Sequence, residues 1–497
     1  MRPLLACLLA LLLSGGAAAA PAPLRVGSKN FTESIVLAEM ARLQAQRDGL
    51  VLEHRRALGG SAILWAALQA GDIDAYPEYT GTLSQELMKE LPPRATLDDI
   101  RRGLAERGLG ASAPLGFDDR YALGVTAQTA QRLGLRRLSD LAAHADLRYA
   151  ISNEFMDRGD GWRGLCAAYG LDPARARAID HDLAYRALLS GAADVIDLYT
   201  TDAEIERYGL VALADDRDYF PGYQALWLYR QDALRRTPAL GTVLDSLAGG
   251  VGTPAMRGLN AAVKFGGRSE TQAAADFLGL APGAGEGGRW RRIGLRTQEH
   301  LRLVGLSLGL ALLTGLPLGV AAARRPRLGQ ALLAATSILQ TVPSLAMFVF
   351  LIPWLGIGAA PAIAALFFYS LLPIVRNTVT GLTGIAPALR ESAESLGLPP
   401  LVQLLRIELP LALPVILAGV STAAVIDVGT ATLGALIGAG GYGQPILTGI
   451  RLDSVPLILE GALPAAALAL LVQGLFHALE RAVARRGAGA KPPTRFN

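Results

Sequence analysis

The chain has 497 residues, 51% of them hydrophobic and only 18% charged, which is too long for one domain and too apolar for an ordinary soluble enzyme. Charge is unevenly spread: 65 of the 267 residues from 24 to 290 are Asp, Glu, Lys or Arg, against 20 of the 197 from 301 onward, so the two halves face different solvents. A formal charge of +4 and a pI near 9.1 do not point to nucleic acid, because no basic run is interleaved with aromatics. The dense cluster Arg324-Arg325-Pro326-Arg327 lies between two apolar segments and reads as a membrane-topology signal.

Residues 1–20 have the layout of a secretory signal: Arg2, an apolar run over 4–13, then small residues to Ala20. The run is too short to span about 30 Å of hydrocarbon. Cys7 sits in a lipoprotein-like box, but too few residues precede it for a signal of that kind, so no lipidation is expected. Cys166 is then alone in the mature chain, and no internal disulfide can form. From 24 to 280 short apolar strand candidates, such as Leu24-Arg25-Val26-Gly27 and Ala193-Asp194-Val195-Ile196, alternate with amphipathic helices such as 34–47. That rhythm predicts two α/β lobes built on parallel sheets and joined by a hinge, with a small ligand in the cleft between them. Residues 281–297 are expected to be a linker, glycine-rich at its start.

A membrane domain is expected over 298–481, followed by a cytoplasmic tail over 482–497. Five stretches are long and apolar enough to span: 299–323, 330–353, 359–381, 410–430 and 456–479. With the first half outside, Arg324 to Arg327, Arg390, Arg406 and Arg481 all fall on the inner side, as the positive-inside rule requires. The glycine-rich segment 430–453 is too broken to span and is expected to be re-entrant or gate-forming. Asp427, inside the fourth span, either lines a path for a cation or faces water at the outer gate.

Between spans three and four, Glu391-Ser392-Ala393, then Gly397, then Ile407-Glu408-Leu409-Pro410 predict a helix, a break and a second helix opened by Pro399-Pro400. This knob resembles the coupling loop of ABC importer permeases, with Ser392 in place of the usual middle alanine. Gln340-Thr341-Val342-Pro343-Ser344-Leu345, Leu371 to Asn377 and Gly429 to Gly441 are similar to permeases of glycine betaine, carnitine and choline importers. The first half resembles the binding proteins of the same systems, through Gly27-Ser28-Lys29-Asn30-Phe31-Thr32-Glu33, Tyr76-Pro77-Glu78-Tyr79-Thr80-Gly81-Thr82, Asp118-Asp119-Arg120-Tyr121, Asp197-Leu198-Tyr199 and Tyr219-Phe220-Pro221-Gly222-Tyr223.

The resemblance implies a two-lobed periplasmic-binding-protein fold followed by an all-α permease of about five spans in a bacterial inner membrane. It also implies an aromatic cage of Tyr79, Tyr121, Tyr199 and Tyr223, with Lys29, Thr82, Asp119 and Arg158 holding a ligand carboxylate or closing the cleft. A trimethylammonium group has no hydrogen to donate, so aromatic faces are the natural way to hold it, at about 0.5–2 kcal/mol per ring when desolvated. An ergothioneine importer of the same family, whose ligand is also a betaine, is the alternative. A membrane-anchored ligand-sensing receptor is the alternative from another class, but it would leave the coupling knob unexplained. The five histidines show no metal-ligand spacing, no catalytic constellation stands out, and no phosphate-binding Gly-x4-Gly-Lys motif is present. This chain is therefore expected to bind no cofactor or metal. ATP and Mg would be used by a separate cytoplasmic ATPase docked on a homodimer of the permease.

Overall fold

The computed structural model describes residues 23–92, 94–280, 288–452 and 454–488. The expected signal over 1–20 and the glycine-rich linker segment 281–287 lie outside them. The first half holds ten strands: β1 Leu24–Gly27, β2 Leu52–Arg55, β3 Ala75–Tyr79, β4 Leu109–Ala111, β5 Tyr121–Thr126, β6 Tyr149–Ser152, β7 Ala176–Ile179, β8 Val195–Tyr199, β9 Leu210–Ala212 and β10 Ala225–Arg230. They form two five-stranded sheets, ordered β2-β1-β3-β10-β4 in lobe one and β7-β6-β8-β5-β9 in lobe two.

Neither sheet is purely parallel, which corrects the sequence expectation. β10 runs antiparallel to β3 and β4, and β5 antiparallel to β8 and β9. The cause lies in the connectivity. The chain leaves lobe one after β4 and enters lobe two at β5, then leaves after β9 and returns at β10, so in each sheet the entering strand is inserted against the local direction. The two crossings meet in a bridge between Asp118 and Gln224, which forms the hinge. Pro77 is tolerated inside the buried strand β3 because β1 pairs with it only at Val26 and Ala75, so the missing N–H falls beyond the end of β1.

Lobe one is covered by α1 (Thr32–Arg47), α2 (Ser61–Ala70), α3 (Thr253–Lys264) and α4 (Glu270–Leu278). The second half is helical: α5 (Arg289–Arg324), α6 (Pro326–Thr341), α7 (Ser344–Leu355), α8 (Ala359–Thr383), α9 (Pro387–Ser395), α10 (Pro400–Gln403), α11 (Leu409–Thr430), α12 (Gly443–Arg451) and α13 (Val455–Ala488). Among the described residues, four helical stretches are long and apolar enough to cross a membrane, and five if α6 and α7 count as one. The stretch expected as a single span over 330–353 is bent by 99° between those two helices. Pro343 excludes the helical conformation at the residue before it, and Val342 accordingly sits at φ −65°, ψ 128°. Residues 289–297, expected as linker, are the first turns of α5, where Arg292 pairs with Glu460 at 3.0 Å. Helix α13 likewise continues through 482–488 of the expected tail.

Small residues let the spanning helices approach closely. A Cβ on Gly315 or Gly319 of α5 would lie 2.9 Å from Ile374 or 2.5 Å from Thr378 of α8, and one on Gly419 of α11 would lie 2.5 Å from Asn377. Asp427 does not face water: it is fully buried, and its Oδ2 accepts hydrogen bonds from Ser307 of α5 (2.9 Å) and Ser370 of α8 (2.8 Å). One carboxylate thus joins three helices, α5, α8 and α11.

Candidate functional site

The strands of both lobes end at the cleft, and their last or first residues supply the aromatic side chains. Tyr79 closes β3 and Tyr199 closes β8, while Tyr121 opens β5 directly opposite Tyr199 in the antiparallel register. Tyr223 lies on the return crossing, where its N–H donates to Asp118 at 3.1 Å. The rings converge. Tyr121 lies 4.9 Å from Tyr199 and 5.7 Å, edge-on, from Tyr223. Phe31, just past the end of β1, stacks between Tyr79 at 6.3 Å and Tyr199 at 6.1 Å and so links the two lobes' tyrosines. Gly81 is required for this packing, since a Cβ there would lie 2.5 Å from the Tyr223 ring.

The cations of the site are already paired. Lys29 forms a buried ion pair with Glu78 and lies 4.9 Å from the Tyr79 ring centre. Arg158 turns Nε and Nη2 to Asp160 at 2.8 and 2.9 Å, and its guanidinium lies 5.2 Å from the Tyr121 ring and 5.6 Å from the Tyr223 ring. Its Nη1 reaches only a long 3.4 Å contact with Thr82 Oγ1. The Tyr223 hydroxyl donates to Asp160. Asp119 is buried and accepts from the Thr201 hydroxyl at 2.6 Å.

The acid–base groups Glu33, Asp119 and His181 adjoin these rings. Glu33 accepts from the Tyr79 hydroxyl and from Asn260 Nδ2 at 3.3 Å, and burial pushes its carboxyl up to about 7 against the pull of those hydrogen bonds. Burial and the nearby Glu33 hold Asp119 well above the usual carboxylate range. His181 packs 4.4 Å from Tyr199, and although burial opposes its charge, the carboxylates of Asp202 and Asp197 hold it well above the ordinary histidine range.

All eight residues singled out in the sequence lie together at the cleft, seven of them buried and Tyr199 half-buried. Sequence reasoning passed over Phe31, Glu33, Glu78, Asp160 and His181. Phe31 and Glu33 stood inside a quoted motif directly after β1, where a strand end points into a cleft, and that placement was the available signal.

In the membrane half, the expected helix, break and helix are α9, a left-handed Gly397 (φ 71°) and α10 opened by Pro400. The chain runs on through Ile407 into α11, whose first residues are Leu409 and Pro410. Glu391, Ser392 and Ala393 lie on α9, with Ala393 buried and Glu391 exposed. Arg324, of the basic tetrad, and Arg390 both pair with the buried Glu408, the latter at 3.5 Å, which fixes the knob to the end of α5. The glycine-rich segment is a 3₁₀ helix over Ala431–Ile437, left-handed glycines at 438, 440 and 441, where the Gly441 N–H donates to Glu299 at 2.9 Å, and then α12.

This pairing of a two-lobed domain with a helical membrane domain agrees with the comparisons. Residues 22–279 match the family described as the substrate binding domain of the ABC-type glycine betaine transport system. Residues 315–486 match the binding-protein-dependent transport system inner membrane component. The glycine betaine/carnitine/choline transport system permease protein OpuCB of Bacillus subtilis is 41% identical over 192 residues, 39% of this chain and 88% of that one. The osmoprotectant import permease protein OsmW of Salmonella typhimurium is 42% identical over 196 residues, 38% of this chain and 91% of that one. The ergothioneine transport permease/ergothioneine binding protein EgtU of Helicobacter pylori is 30% identical over 260 residues, 52% of this chain and 47% of that one. The apolar helices and the permease match make this a multi-pass inner-membrane protein with a periplasmic-type binding domain. The chain belongs to the glycine betaine type of binding-protein-dependent ABC importers, of which it carries the substrate-binding domain and the permease in one polypeptide.

Proposed function

We propose that the chain captures a quaternary-ammonium solute, glycine betaine, choline, carnitine or a similar compound, and passes it through a homodimer of its permease domain. A separate cytoplasmic ATPase docked on the knob from Glu391 to Pro410 drives the step. The observation that carries the reading is the ring-on-ring packing of Tyr223, Tyr121 and Tyr199 between the lobes, continued through Phe31 to Tyr79. Aromatic faces attract a cation that cannot donate a hydrogen bond. A ligand carboxylate would go to Arg158 Nη1 and Thr82 Oγ1, because Nε and Nη2 already serve Asp160.

A second reading, ergothioneine, is supported by a different observation: the relative named for ergothioneine also combines permease and binding protein in one chain. A thermal-shift screen of the intact protein against choline, glycine betaine, carnitine and ergothioneine decides between the two. Stabilisation by the first three supports the main reading, and stabilisation by ergothioneine alone supports the second. Binding of the dimethylamine analogues as tightly as their trimethylammonium parents would overturn the cage assignment.

A further inference from the structure

Lobe one rests on the permease, and three of the contacts between them are at Leu58, Asp72 and Arg451. Leu58 packs against Gly438, where a Cβ would lie only 2.4 Å from its side chain. The Ile357 N–H donates to Asp72 at 3.3 Å. The third contact differs in kind. Arg451, the last residue of α12, is half-buried, with its side chain only 8% exposed, and its guanidinium donates to Thr32 Oγ1 at 2.9 Å and to Glu270 at 2.6 Å. Glu270 is also held by Arg56 at 2.9 Å, and although burial opposes its charge, the two arginines bring its carboxyl down to about 2.

Thr32 is the first residue of α1, between Phe31, which stacks on Tyr79 and Tyr199, and Glu33, which accepts from Tyr79. A second route runs from Glu270 through Arg56 to Glu39, then to His54 at 2.6 Å and on to Ser28 Oγ at 2.8 Å, next to Lys29. The permease arginine therefore grips the same helix start that carries two walls of the cage.

We propose that Arg451 couples docking to ligand binding: by holding Thr32 and Glu270 it fixes the start of α1 in the position that the closed cage requires. This rests on the function proposed above only in its choice of ligand. Arg451 touches no ligand and is a positioning residue. Coupling of two equilibria is reciprocal, so whatever affinity the closed cage adds to docking, docking adds to ligand binding. A residue of the permease should thus tune the affinity of a site in the other domain.

The test uses the intact protein in nanodiscs, with binding of choline and glycine betaine followed by calorimetry. R451Q is expected to raise Kd about fivefold or more, within the usual range of coupling between sites. R451K, which keeps the charge, should stay within about twofold of the parent. T32V, which removes one of the two contacts, should weaken binding by no more than R451Q does, and the double variant should be no weaker than R451Q alone, because R451Q already removes the contact to Thr32. A Kd unchanged in R451Q, or losses that add in the double variant, would overturn the proposal. A second arm needs no ligand. The distance between spin labels on the helix Leu97–Ala105 and on α13 should broaden in R451E, and an unchanged distribution would also overturn it. If the parent chain binds none of the four candidate solutes, the proposed function falls while this second arm still decides the role of Arg451.

Discussion

At the scale of single residues, the cage depends on close packing of rings against one another. Replacing Tyr121 or Tyr199 by alanine removes a cation-attracting face and opens a void between the lobes, and each variant should bind its solute at least about tenfold more weakly in calorimetry. Gly81→Ala should do the same without touching a ring: its methyl would displace Tyr223, an overpacking cost of about 1–3 kcal/mol, and ligand affinity measures the displacement. Glu33 provides a pH test. Its folded pKa near 7 lies above the ordinary carboxylate value, so its contribution to stability is full at acid pH and is lost as pH rises through 7. A cation bound beside it favours the ionised form, which reverses the trend for the complex. Choline should bind more tightly at about pH 8 than at about pH 6, and Glu33→Gln should flatten that dependence while leaving Asp119, Asp202 and His181 in place.

At the scale of elements, the sequence was informative where local chemistry decides structure. β1 follows from its short apolar run and the knob from Gly397 and Pro399-Pro400. The helix expected over 34–47 is present as α1, but it is enclosed on nearly every side rather than amphipathic, with Thr32 to Ala45 buried except Arg42. The placement of the four tyrosines together at the cleft was legible because strand ends and the crossing segment carry them in recognisable motifs. Less was legible where distant segments decide. The antiparallel insertion of β5 and β10 depends on the chain crossing twice between lobes, and no local pattern records that. The pairing of Lys29 with Glu78 and of Arg158 with Asp160 was missed because both cations had been assigned to the ligand, although each partner was near its cation or inside a quoted motif. The bend between α6 and α7 could have been read from Pro343, yet the apolar run on both sides concealed it. For the knob itself, Gly397 occupies a left-handed conformation that valine resists. Gly397→Val should leave solute binding to the intact chain unchanged and should lower uptake about tenfold or more by uncoupling it from ATP hydrolysis. Normal uptake by that variant would remove the coupling role from this loop.

At the scale of the whole molecule, the two domains are joined through lobe one in two ways. The chain passes from α4 of lobe one toward α5, and Leu58, Asp72, Thr32 and Glu270, all on lobe one, touch the permease. Cutting the chain near Gly285 should lower uptake by about one to two orders of magnitude if the covalent tie maintains docking, whereas lengthening it with Gly-Ser repeats should cost only a few-fold. Uptake unchanged after the cut would mean that the contacts at Arg451, Asp72 and Leu58 suffice alone.

Anchorage through one lobe also has a kinetic consequence. Lobe two is joined to lobe one by the two crossings at Asp118 and Gln224 and by ion pairs from Arg257 and Lys264 of α3 to its Glu206, Asp182 and Glu204, while the permease contacts at Leu58, Asp72, Thr32 and Glu270 all lie on lobe one. Capture is then a first encounter between solute and a receptor that is already in place, with no diffusing carrier whose abundance must be matched to that of the permease. The solute concentration at half-maximal uptake should therefore be the same at every expression level, with only the maximal rate following copy number. In a system with a free carrier, both quantities move with the carrier-to-permease ratio. Uptake curves recorded over a graded induction series distinguish the two behaviours.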